Sequence, residues 1–90
     1  MNKVRILLVD DHPLFRQGVT WTLSNQPDLE IVGEVADGQA AIQQADILLP
    51  DIVLCDINLP GMNGLEVTRI LKRRHPQSAV IILTLHEDDE

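Results

Sequence analysis

The sequence predicts an α/β fold built on a parallel sheet, because strand-like and helix-like segments alternate as β-α-β-α-β-α-β. Three short apolar runs mark the strands most clearly: Ile6-Leu7-Leu8-Val9, Ile52-Val53-Leu54-Cys55 and Val80-Ile81-Ile82-Leu83. Their length and β-branched content suit strands buried on both faces. Each run also ends at a residue that can meet metal or phosphate: Asp10-Asp11, Asp56 and Thr84. In open α/β sheets, ligands gather beyond the carboxyl ends of the strands, near the point where strand order reverses. These residues, far apart in sequence, are therefore expected to converge. A carboxylate cluster with a hydroxyl beside it suggests divalent metal and phosphoryl chemistry.

The elements follow in order. Residues 4–9 form the first strand, and His12-Pro13 opens a helix with Pro13 near N1, where its missing N–H costs nothing. Phe15, Val19 and Leu23 recur at helical spacing and predict a core-facing stripe, flanked by Leu14, Gly18 and Trp21. Asn25-Gln26-Pro27-Asp28 ends that helix. Residues 31–35 make a second strand, weakened by Gly33. Asp37-Gly38 reads as a turn, and Ala40, Ala41, Ile42 and Ala45 mark a short second helix. Pro50-Asp51 precedes the third strand, and Asn58 to Gly64 make a Pro/Gly-rich loop. A third helix runs from Leu65 to Arg74, with Val67, Ile70 and Leu71 inward. His75-Pro76-Gln77-Ser78 then turns the chain into the fourth strand.

Ninety residues with 44% apolar content form one small domain. The 14 acidic against 7 basic residues give a net charge of −7, which disfavours nonspecific binding to nucleic acid or to an anionic membrane. Arg69, Lys72, Arg73 and Arg74 cluster at a helix end, where they complement the helix dipole. The single cysteine, Cys55, excludes an internal disulfide and reads as a packed core thiol, with no basic group nearby in sequence to activate it. Lys3 and Arg5 precede only four apolar residues, too few for a signal segment, and no run approaches a membrane span. A cytoplasmic protein without membrane contact is expected.

Val4-Arg5-Ile6-Leu7-Leu8-Val9-Asp10-Asp11-His12-Pro13, then Asp56-Ile57-Asn58-Leu59-Pro60-Gly61-Met62-Asn63-Gly64 and Ile81-Ile82-Leu83-Thr84, together resemble the receiver domain of bacterial response regulators. Phe15-Arg16-Gln17-Gly18 and Thr84-Leu85-His86 are similar to the NarL/FixJ-like group, whose members usually carry a LuxR-type helix-turn-helix output domain. The resemblance covers the whole chain. It implies a flavodoxin-like, doubly wound parallel sheet with strand order 2-1-3-4. It further implies that residues 1–90 are a partial receiver, lacking the fifth strand, the last two helices and the output domain, as a fragment or a natural truncation. With the fifth strand goes the lysine that the family places at its end; no lysine follows Lys72.

The same resemblance assigns roles. Asp56 would be the phosphoacceptor, taking a phosphoryl group from the phosphohistidine of a sensor histidine kinase. Asp11 and Asp56 would ligate Mg²⁺ directly, Asp10 through water and Asn58 through its backbone carbonyl, while Thr84 would be the switch residue. Physical reasoning agrees: carboxylates ~5 Å apart at an effective dielectric of 20 repel by about 3 kcal/mol per pair, which favours either a raised carboxyl pKa or a bound cation, most naturally Mg²⁺ at an oxygen-only site. DNA would be reached only through the missing output domain, and the uncovered fourth strand is expected to support self-association.

Each role has a plainer rival. Asp10 and Asp11 could be solvated, with Asp11 favouring the dipole of the first helix. Asp56 could cap a loop, and Thr84 is a favoured strand residue in any case. His12 and His86 lack ligand spacing with another histidine, and His12 before Pro13 reads as shaping the loop. Trp21 and Met62 are packing or surface residues. Two other functions stay open: a Mg²⁺-dependent phosphohydrolase with Asp56 as nucleophile, or an interaction module independent of phosphorylation. Against the hydrolase, the second residue after Asp56 is Asn58, where such folds commonly want an acid-base carboxylate.

Overall fold

A computed structural model describes residues 3–83. The elements are β1 (Val4–Val9), α1 (Pro13–Ser24), β2 (Leu29–Val35), α2 (Gly38–Leu48), β3 (Ile52–Asp56), α3 (Gly64–Arg74) and β4 (Ala79–Leu83). All strand pairs are parallel, and the sheet order is β2-β1-β3-β4 as expected. The chain moves one way from β1 to β2 and the opposite way to β3 and β4. Right-handed crossovers therefore place α1 on one face and α2 with α3 on the other. Among the described residues the apolar core is Leu7, Val9, Val53 and Cys55 of the sheet, closed by Ala41 and Ala45 of α2 and Val67 and Leu71 of α3. Strand alternation turns Ile6 and Leu8 to the opposite face, where both are buried.

Local chemistry sets the helix starts. The Asp37 side chain accepts from Ala40 N at 2.8 Å and so caps α2, which begins at Gly38 rather than beyond a separate turn. The Asn63 side chain accepts from Glu66 N at 2.9 Å and starts α3 one residue earlier than apolar spacing suggests. Lys72, Arg73 and Arg74 occupy the last turn of α3, as the dipole argument requires. The second strand is longer than expected because Leu29 and Glu30 pair with Val4 and Arg5. Its register shifts between Ile6 and Leu7, so Val32 is extra in β2. A Cβ at the neighbouring Gly33 would lie 2.8 Å from Leu48 Cδ1, so the glycine lets α2 sit close to the sheet.

The first helix departs from expectation. Phe15, Val19 and Leu23 are only half-buried, no residue of α1 is fully buried, and Leu14 and Trp21 are 83% and 71% exposed. This helix packs mainly on β2, the sheet's edge, so its apolar stripe borders an open groove lined by Leu14, Phe15, Gly18, Val19, Thr22 and Leu23.

The amino ends of the strands are knitted by polar contacts. Buried Ser78 donates from Oγ to the Pro50 carbonyl at 2.6 Å, and Arg5 N donates to Asp51 Oδ2 at 2.9 Å. Arg5 Nη1 also reaches the carbonyl of Leu49, which ends α2 in a left-handed conformation at φ 50. The far ends of α2 and α3 are tied where Asp46 meets Arg74 and His75, the latter at 2.7 Å through Nε2. The His75 hydrogen bond, with the Arg74 charge adding, holds the Asp46 carboxyl below its ordinary value of 3.8. A carboxyl lowered on folding stabilises the fold above its unfolded value and ceases to do so as pH falls through the folded one. Asp46→Asn is therefore expected to lower the urea midpoint at pH 7, with the gap between the two proteins closing in acid below pH 3.8. A gap of equal size at both ends of that range would show that the tie is not electrostatic.

Candidate functional site

The site lies at the carboxyl ends of β1 and β3, on either side of the reversal in strand order. The register pairs Val9 with Cys55, so the next residues stand side by side, Asp10 just beyond β1 and Asp56 as the last residue of β3, opposite Leu83. Both are buried, at 0% and 2% exposure. Backbone bonds hold them: Asp10 N donates to the Val35 carbonyl at 3.0 Å, and Arg16 Nη1 donates to the Asp10 carbonyl at 2.7 Å. Asp56 Oδ1 accepts from Asn58 N at 3.1 Å. On the other side, a Cβ at Gly64 would fall 2.4 Å from the Asp56 carbonyl and 2.7 Å from Ile57 Cα. Glycine is needed there for α3 to begin directly against the end of β3, which fixes the loop carrying Asn58.

Asp11, with one-third of its side chain exposed, completes an acidic cluster with Asp10 and Asp56. His12 joins it, and one donor atom from each of the four residues lies within 4.8 Å of the others. Asp10 Oδ1 accepts from His12 N at 2.7 Å, while Asp10 Oδ2, Asp11 Oδ1 and Asp56 Oδ2 have no hydrogen-bond partner. Buried carboxylate oxygens without a hydrogen bond are costly even with the His12 ring nearby, and three in one cluster match the donor set of a hard divalent cation such as Mg²⁺. The hydrogen bond to Asp10 and then the charge of Asp11 raise the His12 pKa above its ordinary 6.5; desolvation opposes them, and the charges of Asp10 and Asp56 add smaller contributions. Burial first, then the charges of Asp56 and Asp10, push the Cys55 thiol up to about 11. It stays protonated, a packing residue as its sequence context suggests.

The structure thus brings together Asp10, Asp11 and Asp56. Asn58 stands beside them through its backbone N–H, which donates to Asp56 Oδ1. Thr84, with His86, lies outside the described residues. His12 is the residue that sequence reasoning placed wrongly. It caps α1 without a side-chain cap bond and turns its ring onto the carboxylates instead of merely shaping the loop. The available signal was its position directly after the acid pair.

Residues 6–90 match the family model described as "Response regulator receiver domain". The chain is 42% identical over 88 residues to the transcriptional regulatory protein DegU of Brevibacillus brevis, covering 98% of this chain and 37% of that protein. It is 42% identical over 86 residues to the nitrate/nitrite response regulator protein NarL of Escherichia coli K12, covering 93% of this chain and 40% of that one. Among solved structures, the signal receiver domain of NarL from Mycobacterium tuberculosis superposes with a TM-score of 0.91 at 38% identity, covering 98% of this chain and 71% of that one. A LuxR-family two-component response regulator from Aurantimonas sp. SI85-9A1 gives 0.89 at 36% identity, with coverages of 96% and 61%. The chain spans about two-fifths of the length of these curated relatives.

Crowded carboxylates should respond to a cation by mass action. Mg²⁺ at tens of millimolar is expected to raise the melting temperature of the chain, and Asp11→Asn to remove most of that rise. A flat melting temperature across the Mg²⁺ series in the unmutated chain would mean that the carboxylates form no cation site.

Proposed function

Because the chain belongs to the response regulator receiver domain family and is a phosphoacceptor signalling domain rather than a classical enzyme, we propose that Asp56 is the residue that accepts the phosphoryl group. The observation that carries this reading is Asp56 Oδ2: buried, without a hydrogen-bond partner, and turned into the cluster formed with Asp10 and Asp11. An unshared carboxylate oxygen is the atom available for attack on phosphorus. Its partner Oδ1 is meanwhile fixed by Asn58 N, which holds the carboxylate plane still. The new O–P bond replaces the P–N bond of a phosphohistidine, whose imidazole departs and regains a proton.

Asp11 and Asp56 would hold Mg²⁺ directly, Asp10 through water, and Asn58 through its backbone carbonyl. Bound there, the ion would neutralise charge on the phosphoryl oxygens. Asp10 is kept in place by the Arg16 bond to its carbonyl, and Arg16 is itself steadied by Glu34 at 3.4 Å. Thr84, the residue that follows β4 in sequence, would supply a hydroxyl to the phosphoryl oxygens as the switch. The donor would be a sensor histidine kinase. The whole protein would be a cytoplasmic regulator of transcription, reaching DNA through a helix-turn-helix output domain outside these 90 residues. Supporting this, the matched relatives are named as transcriptional or response regulators and are longer than this chain. No helix among the described residues is long and apolar enough to cross a membrane.

Incubation with a small phosphodonor and Mg²⁺ is expected to add one phosphoryl group, about 80 Da, to the intact chain and none to Asp56→Asn. An adduct of equal yield on that variant would place the acceptor elsewhere.

Self-association through β4 belongs to the same reading. Among the described residues β4 pairs only with β3, its Ile81 is 45% exposed, and no charge or proline within Ala79–Leu83 protects its edge. Two copies pairing along this edge would satisfy its free backbone groups. Ile81→Lys is expected to reduce association in light scattering without the core damage that a change at Ile82 would bring, since Ile82 packs on the core. A monodisperse 10.1 kDa monomer at high concentration would exclude pairing.

A further inference from the structure

We propose that Asn63-Gly64 is a self-modification site, at which the Gly64 amide nitrogen closes on the Asn63 carboxamide and turns that residue into isoaspartate. The start of α3 controls how fast this happens, and the product detaches α3 from the end of β3. The chemistry stands on this pair alone; only its effect on phosphoryl acceptance rests on the reading of Asp56.

The residue types select the site. The chain has four asparagines, and Asn2, Asn25 and Asn58 precede Lys3, Gln26 and Leu59, whose side chains shield the amide nitrogen that must attack. Asn63 alone precedes glycine, and it is exposed. The reaction needs no cofactor and only water as co-reactant. Gly64 N loses its proton and bonds to the side-chain carbonyl carbon of Asn63. The bond from that carbon to the carboxamide nitrogen breaks, and ammonia leaves. Water then opens the resulting five-membered succinimide at one of its two carbonyls. Opening at one restores the main chain with aspartate at position 63. Opening at the other sends the main chain through the former side chain, as isoaspartate.

The closed fold holds both partners away from this ring. Gly64 N donates to the Ile57 carbonyl at 2.8 Å, so its proton is committed. Asn63 Oδ1 accepts from Glu66 N at 2.9 Å as the cap of α3, which fixes the carboxamide against the rotation that ring closure requires. Both bonds lie at a helix end, where fraying of the first turn releases them. The reaction therefore runs from that opened turn.

The product does not fit back. A Cβ at Gly64 would lie 2.4 Å from the Asp56 carbonyl oxygen and 2.7 Å from Ile57 Cα, so the backbone has no slack there. Isoaspartate adds one main-chain atom before Gly64, which moves it off the end of β3 and ends its bond to Ile57. The same turn carries Asn58 N, which holds Asp56 Oδ1 at 3.1 Å. Aspartate at position 63 keeps the ordinary main chain and is a good cap. The damage thus comes from the extra atom and not from the added charge.

The test is to age the 90-residue chain for days in mildly alkaline buffer at physiological temperature, with and without denaturing urea, beside Asn63→Ser and Asn63→Asp. Serine keeps a cap and has no carboxamide to lose. Peptide mapping is expected to find isoaspartate at position 63 of the unmutated chain, formed at least tenfold faster in urea. The aged chain is expected to unfold at lower urea than the fresh one and to lose phosphoryl uptake in proportion to its isoaspartate. Aged Asn63→Ser and fresh Asn63→Asp are expected to behave as the fresh chain does. No isoaspartate at position 63 without urea would overturn the site, and equal rates with and without urea would refute its control by α3. An unchanged urea midpoint in chains that carry isoaspartate would refute the damage. If even the fresh chain takes up no phosphoryl group, the reading of Asp56 falls, while mapping and the urea midpoint still decide the modification.

Discussion

The chain leaves β1 in one direction and returns to pair on its other edge, and the site depends on this reversal. With β2 on one side and β3 on the other, β1 is buried on both faces from Ile6 to Val9. The reversal also sends α1 to one face and α2 to the other, so no helix among the described residues lies across the carboxyl ends of β1 and β3. Register does the rest. Val9 opposite Cys55 places Asp10 and Asp56 one step beyond the last pair between β1 and β3, and the geometry is fixed by backbone bonds deep in the sheet rather than by the loops. A mobile loop could relieve repulsion between two carboxylates. A parallel strand pair cannot.

That rigidity explains how the crowding survives in the fold. Asp10 is tied at its amide to β2 and at its carbonyl to Arg16, and the turn after β3 is tied where Ile57 N donates to Leu83. Gly64 removes the side chain that would push α3 away from the Asp56 carbonyl. The carboxylates repel from positions they cannot leave, so an incoming cation meets a receptor already formed. Preorganisation of this kind keeps the ordering cost of binding low.

The strands were legible because buried parallel strands write themselves as short β-branched runs, and the acids at their ends are separated from those runs by polarity alone; their order came from the resemblance to receiver domains and not from the runs. Boundaries were less legible where a polar side chain starts a helix: Asp37 and Asn63 resemble turn residues in sequence, and only their bonds to Ala40 and Glu66 make them caps. The bulge at Val32 could not be read, since a register shift is a property of two strands and not of one. Apolar spacing marked the inner side of α1 but could not say how much of it is covered. Coverage depends on the neighbour of α1 being the edge strand β2. His12 was missed because it was sought in company with other histidines, whereas its company is three carboxylates from two strands.

The two ends of the sheet differ in a way that separates stability from function. At the amino ends, Ser78, Arg5 and Asp51 find backbone or side-chain partners that lock α2 and the strand starts together. At the carboxyl ends, polar groups are left over. Among the described residues, three of the four buried side-chain polar atoms without a partner belong to Asp10, Asp11 and Asp56, the fourth being Thr20 Oγ1. Folding alone would favour neutral, paired groups there, as it has at the other end. A small domain with one modest core retains little free energy to spare for unpaired charge. Three such atoms facing one another are therefore best understood as the binding half of an interaction whose other half is a cation.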